Sequence, residues 1–207
     1  DEHSGGSNAY TGGAITNYFF QVSHEGFNIA LDRFSDFFKA PLFDKTYSER
    51  EVKAVNNEHQ KNKLNDGWRG NFVSQQISEP GHPLTKFGTG NKDTLSGDNR
   101  PALLDFYKKY YSASNMKLSL ISNIPMQNLF GIAKKYFSDI PTRKVNIPSM
   151  PKVFRKPLKN QFRLLGVKTI KDIRSLEIDF PTIRLKDYQD SKPAGIIGSL
   201  IGHEGKG

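Results

Sequence analysis

The chain has no cysteine among its 207 residues. A disulfide framework, a thiolate metal site and a cysteine nucleophile are therefore excluded, and any bound metal must be held by His, Asp or Glu. No apolar run approaches the roughly 20 residues that cross a bilayer. Residues Asp1 to Thr11 have neither the basic start nor the apolar stretch of a secretory signal. The metal motifs H-E-x-x-H and H-x-x-E-H, the nucleophile elbow G-x-S-x-G and a Walker phosphate loop are all missing. Histidines His3, His24, His59, His82 and His203 are scattered, so the chain by itself is not expected to assemble a three-ligand zinc site. An initiator Met is also lacking, and the chain opens in mid-pattern at Asp1-Glu2-His3-Ser4-Gly5-Gly6, from which a missing N-terminus is expected.

What is present describes a folded domain. Hydrophobic residues make up 36% of the chain and include 15 Phe and 8 Tyr, enough bulky material for a core in one large domain or two small lobes. The formal charge of +9 raises a nucleic-acid reading, since clustered Lys and Arg neutralise phosphates. Here the basic residues are spread along the chain, with mild concentration from Arg143 to Lys171, and no recognition motif accompanies them. A solvated basic face is the expectation, with neither nucleic acid nor membrane as partner.

Periodicity supplies the elements. Ala14 to Ser23 is rich in β-branched and aromatic residues and predicts a strand, after a Gly-rich stretch, Gly5 to Gly13, that reads as a flexible turn. Phe27, Ala30, Leu31, Phe34 and Phe38 recur at helical spacing before Pro41. A second helix is predicted from Ser48, where Ser48-Glu49-Arg50-Glu51 fits a capping box, running past Glu58 toward Trp68. Breakers from Gly70 to Arg100 predict mostly ordered loop, the natural lobe boundary. Further helices are expected at Arg100 to Tyr111, Gln127 to Phe137 and Lys192 to Ile201, with strands at Met116 to Ser122, Phe162 to Lys168 and Ser175 to Phe180. This mixed succession indicates an α+β fold, an antiparallel or mixed sheet backed by helices, with lobes at 1–95 and 96–207 sharing one sheet.

The acids of the second helix carry the chemical question. Glu51 and Glu58 are seven apart, which at about 100° per residue places them on one face two turns apart, beside Ala54 and Val55. A carboxylate on an inward stripe is costly unless a cation, metal or donor offsets it. The plainer reading makes Glu51 a capping residue and Glu58 a solvated helix acid. Adjacent Glu58 and His59 point about 100° apart and do not converge on one ion.

Several runs, in order along the chain, resemble the pitrilysin and insulin-degrading-enzyme family of zinc metallopeptidases. They are Gly5-Gly6-Ser7-Asn8-Ala9-Tyr10-Thr11, Thr16-Asn17-Tyr18-Phe19-Phe20, Ala30-Leu31-Asp32-Arg33-Phe34 and Pro41-Leu42-Phe43. Glu49-Arg50-Glu51-Val52 with Ala54-Val55-Asn56 and Glu58 follows, then Asn65-Asp66-Gly67-Trp68-Arg69 and His82-Pro83 with Lys86-Phe87-Gly88-Thr89-Gly90-Asn91. Tyr110-Tyr111-Ser112-Ala113 and Leu200-Ile201-Gly202-His203-Glu204-Gly205 complete the set.

The resemblance implies a zinc endopeptidase acting on small unfolded peptides. In the family an H-x-x-E-H helix upstream binds zinc through two His and supplies the general base, and a Glu on a later helix is the third ligand. By motif context that ligand matches Glu58, while Glu51 matches an acid that supports the site from behind the ligands. The upstream helix is not in this sequence, so the chain alone is expected to hydrolyse nothing. Asn8-Ala9-Tyr10 resembles an edge strand to which peptide substrate adds; the plain alternative is an ordinary sheet edge. Trp68 matches an aromatic on the primed side of the cleft, or is core. His203, Glu204 and Gly205 resemble the start of a region that holds the substrate's N-terminal end, or are a Gly-rich helix exit. The implied partners are peptides and the remaining homologous domains of a longer parent chain. No compartment is assigned, because the family includes periplasmic, cytosolic and organellar members.

Two other function classes stand beside the enzyme. One is a noncatalytic homologue of the same fold that binds peptides or serves as structure, separable by whether H-x-x-E-H precedes Asp1. The other is a basic nucleic-acid-binding domain, which requires affinity that falls steeply with salt.

Overall fold

The structure, a computed structural model, describes residues 3–13, 15–86, 88–149, 164–179, 188 and 190–202. The fold is α+β: a small antiparallel sheet with helices. Contacts divide the chain into a first unit, Asp1–Ile170, and a second, Lys171–Gly207.

The first unit begins with a hairpin of strand β1 (Gly6–Thr11) and strand β2 (Thr16–Gln21). Gly6 pairs with Gln21 and Thr11 with Thr16. The Gly-rich stretch expected to be a flexible turn is therefore mostly strand. Beyond the paired strands the Gly12 amide donates to the Ile15 carbonyl at 2.7 Å. Every residue of β1 is exposed, whereas Asn17, Tyr18 and Phe20 of β2 are half-buried.

Helix α1 (Phe27–Lys39) follows a 3-10 turn, His24–Gly26. The turn packs closely: a Cβ on Gly26 would lie 2.7 Å from the His3 Cβ and 2.8 Å from a Val22 methyl. Leu31 and Ser35 of α1 are completely buried, and the Ser35 hydroxyl is satisfied within the helix by donating to the Asp32 carbonyl at 2.8 Å. Buried Leu31 answers the three- and four-residue spacing, which puts one apolar stripe of an amphipathic helix inward. The stripe meets β2 through edge-on aromatic pairs, Phe20 with Phe34 at 5.0 Å and Tyr18 with Phe38 at 5.6 Å between centroids.

Helices α4 (Arg100–Tyr110) and α5 (Met126–Phe137) complete this packing. Leu129 of α5 is buried and α5 packs on α1. Buried Tyr107 of α4 places its hydroxyl 2.7 Å from the Phe38 carbonyl and 2.8 Å from that of Lys39, where the end of α1 leaves carbonyls without helical partners. Tyr111 bonds Tyr18 through the two hydroxyls, and burial followed by that bond pushes the Tyr111 hydroxyl's pKa well up, so it stays protonated. Ser112, 1% exposed, accepts from the Arg143 amide at 2.8 Å and donates to the Arg143 carbonyl, tying residues 112 and 143 together.

Helix α2 (Lys45–Lys63) starts three residues before the expected Ser48. Asp44 is its N-cap, accepting from the Thr46 amide at 2.9 Å and the Tyr47 amide at 3.2 Å. Ser48 instead lies inside the first turns and donates to the Asp44 carbonyl. The capping box at Ser48 is corrected accordingly, and with it a capping role for Glu51. Replacing Asp44 by Ala should cost about 1 kcal/mol of unfolding free energy, read as a lower denaturant midpoint at unchanged slope; an unmoved midpoint would show that water caps α2 equally well.

The second helix does not reach Trp68 in one piece. It stops at Lys63, and a separate helix α3 (Asp66–Gln76) begins where Asn65 accepts from the Trp68 amide at 3.1 Å. α3 packs against α2 and occupies part of the span expected to be loop. His82 is buried and accepts at Nδ1 from the Leu84 amide, capping the 3-10 turn Pro83–Thr85.

The expected strand Met116 to Ser122 pairs with nothing among the described residues, nor do 164–168 of the third or 175–179 of the fourth; their remaining residues, Phe162, Arg163 and Phe180, lie outside the described set. A β-favouring composition becomes a strand only when a neighbouring chain takes its backbone groups. In the second unit the described helix is α6 (Pro193–Ile201), whose side chains Ile196, Ile197, Leu200 and Ile201 are exposed. No described helix is long and apolar enough to cross a membrane.

Candidate functional site

α2 sorts its side chains by periodicity. Val52, Val55, Asn56 and His59 are half-buried and Asn62 is buried, forming the side that packs on the domain. Glu51 and Glu58 are exposed. At 100° per residue they project within about 20° of one another, on the border between the packed side and the open side. Neither carboxylate is thus on the covered stripe, and both are available to a ligand from outside the described residues. Asn56, on the packed side, accepts from the Lys92 amide at 3.3 Å and so holds the loop at residue 92 against the middle of α2.

The described residues contain no group of three His, Cys, Asp or Glu that could hold a metal ion. Glu58 presents an exposed carboxylate with no hydrogen bond to a described residue, a donor type that zinc accepts, and His59, one residue on, is half-buried on the packed side.

The expected peptide-contacting residues fall into three places. Asn8, Ala9 and Tyr10 lie on β1, whose partner on one edge is β2; among the described residues its other edge has no paired strand. The Asn8 side chain accepts from the Ala9 amide at 2.8 Å, and Tyr10 is 55% exposed. An extended chain with no strand paired along its outer edge is the geometry that accepts another strand, here with the Ala9 amide held by the Asn8 side chain until it is displaced. Trp68 is 43% exposed in the first turn of α3, so it is not a core residue. His203, Glu204 and Gly205 lie outside the described residues.

Sequence reasoning missed Asp66 and Arg69 as anything beyond part of a matching run. The Asp66 side chain, 10% exposed, accepts from the Ile170 amide at 2.8 Å and lies 3.7 Å from the Arg69 Nε. Arg69 donates from Nη2 to the Lys168 carbonyl at 3.0 Å. No local signal marks this pairing, because its partners are about 100 residues away in sequence.

Comparison with known proteins gives the family of the chain. Residues 1–81 match the family described as Insulinase (Peptidase family M16), and residues 99–207 match the Peptidase M16 inactive domain. The insulin-degrading enzyme of Homo sapiens is 42% identical over 215 aligned positions, which take in 100% of this chain and 21% of that protein. A Schizosaccharomyces pombe protein named as a zinc protease is 40% identical, again over 100% of this chain and 22% of its own length. The chain thus spans about a fifth of the length of these relatives. Among solved structures, pitrilysin superposes with a TM-score of 0.69 and 36% identity over 74% of this chain and 17% of its own. With both regions matched and an identity above 40% along its whole length, the chain belongs to peptidase family M16, the insulinase and pitrilysin family of zinc proteases.

Proposed function

We propose that this chain is part of the catalytic region of a zinc metalloendopeptidase that cleaves small unfolded peptides. The observation that carries the reading is the placement of Glu51 and Glu58 together on one open border of α2, in a chain of the M16 family. Glu58 serves as one zinc ligand. Glu51, one helical heptad before it, supports the metal site from behind that ligand. Bound zinc supplies Lewis acidity, polarising a scissile carbonyl and lowering the pKa of water.

The rest of the assignment concerns the peptide. β1 binds it as an added strand through main-chain groups of Asn8 to Tyr10, a mode indifferent to most side chains and suited to unfolded substrates. Trp68 offers an exposed aromatic surface for a residue on the primed side, and His203, Glu204 and Gly205 hold the substrate's N-terminal end. Residues 1–95 and 96–207 act as two lobes. For the second, the description of residues 99–207 as an inactive domain favours a supporting role over a chemical one. The remaining ligands and homologous domains come from a longer parent protein.

The test is peptide hydrolysis by the full-length protein before and after chelation of zinc, with recovery on adding zinc back. Turnover indifferent to chelation overturns the reading. Within that assay Glu51→Gln is expected to reduce turnover about tenfold to a hundredfold while zinc content falls less than in a Glu58 variant. Unchanged turnover would make Glu51 an ordinary helix acid.

A further inference from the structure

The contact between α3 and residues 168–170 joins the two family-matched regions. Asp66 and Arg69 belong to the region matched at 1–81, and Lys168 and Ile170 to the region matched at 99–207. All four lie within the first compact unit. Three contacts converge there: Asp66 with the Ile170 amide, Asp66 with Arg69, and Arg69 with the Lys168 carbonyl. The two hydrogen bonds are assisted by the full charge of carboxylate and guanidinium, which roughly doubles their strength over neutral ones. Asp66 also stands in the first turn of α3, where a negative charge complements the helix dipole.

Helical geometry gives the contact a consequence. Asp66 and Arg69 are three apart and share one side of α3. Trp68 projects about 160° from Asp66 around the helix axis. A helix held on one side by two side chains resists rotation about its own axis, so the grip on residues 168–170, together with packing on α2 and on the turn at 83–85, sets what Trp68 faces on the other side. Without the grip, α3 is held at this end by the Asn65 cap and by its packing on α2.

We propose that Asp66 and Arg69 are positioning residues: they latch α3 to the Lys168–Ile170 segment and thereby fix how Trp68 is presented to a bound peptide. The inactive-domain region is then a strut for the peptide-contacting helix of the other region. The role in peptide binding rests on the proposed function; the latch itself does not.

The test has two arms. In this chain, Trp68 is the single tryptophan, so its emission reports α3 alone. Asp66→Ala is expected to speed hydrogen exchange at the Ile170 amide about tenfold, the loss of one charge-assisted bond, and to shift Trp68 emission. Arg69→Lys, which keeps the charge and one donor, is expected to retain most of the Ile170 protection. Should Asp66→Ala fail to fold by circular dichroism, Asp66→Asn is the substitute. It retains an acceptor for the Ile170 amide and loses the charge facing Arg69, so Ile170 stays protected while Trp68 emission moves. Unaltered Trp68 emission and Ile170 exchange in whichever variant folds overturns the latch.

In the full-length protein, Asp66→Ala is expected to raise KM for an unfolded peptide several-fold with kcat within about twofold and zinc content unchanged. A fall in kcat at constant KM overturns the positioning role. Failure of the zinc reading is distinguishable, since it leaves the emission and exchange results in this chain untouched.

Discussion

Replacing Glu58 by Gln in the full-length protein is expected to lower zinc content and to reduce peptide turnover by about a hundredfold or more, at or beyond the upper end of the loss seen when residues that merely support a ligand are changed. An amide oxygen carries no net charge, so it neither matches the divalent ion nor offsets its charge as a carboxylate does. The substitution is also a clean one. Glu58 is exposed and bonds to no described residue, so Gln of nearly the same size should leave the unfolding midpoint of the zinc-free protein where it was. Loss of zinc with an unchanged zinc-free midpoint would identify a ligand. Normal zinc content and turnover would return Glu58 to the role of a solvated helix acid, and with it the reading of α2 as a metal-bearing helix would fall.

The second large effect is on stability. Leu31→Ala should cost about 2–5 kcal/mol, because it removes a fully buried side chain and leaves a cavity beneath the inward stripe of α1. Total stabilities of about 5–15 kcal/mol are usual, so this loss is a large fraction of the whole. Chemical denaturation should show a much lower midpoint with a similar slope. Ile29 on the same helix is 60% exposed, and its replacement by Ala should cost under about 1 kcal/mol. Equal effects at the two positions would mean that the stripe of α1 does not face the core as described.

The two substitutions draw on different layers of information. Leu31 was legible because a helix repeats every 3.6 residues, so a local pattern reports which face turns inward. The ends of elements were less so. Asp44 and Ser48 both suit an N-cap, four residues apart, and the pattern downstream of each is similar. The helix begins at Asp44 because its carboxylate reaches two amides at once. Likewise the run from Ser48 to Trp68 holds one break signal, Asn65-Asp66-Gly67, and there Asn65 caps a new helix and interrupts the old one.

Residues 116–122 show the limit in the other direction. Their composition favours extended backbone, and extended backbone is a strand only when another segment completes its hydrogen bonds. That condition is set at a distance. The same holds for the two acids. Their shared face follows from spacing alone, but whether that face is covered or open depends on how α2 packs, and the packed side runs through Val55 and His59, not through Glu51 and Glu58.

Sequence alone determined the class of the fold, helices α1, α4, α5 and α6 with the body of α2, the apolar stripe of α1, the absence of thiolate chemistry, and membership of a peptidase family through runs matched along the whole length. These are properties of residue identity and short-range spacing, where one or two helical turns carry the full signal. Tertiary structure alone decided that β1 is an open strand, that Glu51 and Glu58 border the exposed side of α2, and that Asp66 and Arg69 hold Lys168 and Ile170. Each of those depends on groups brought together by chain folding, some about 100 residues apart, and the entropy of closing such loops leaves no trace in local composition.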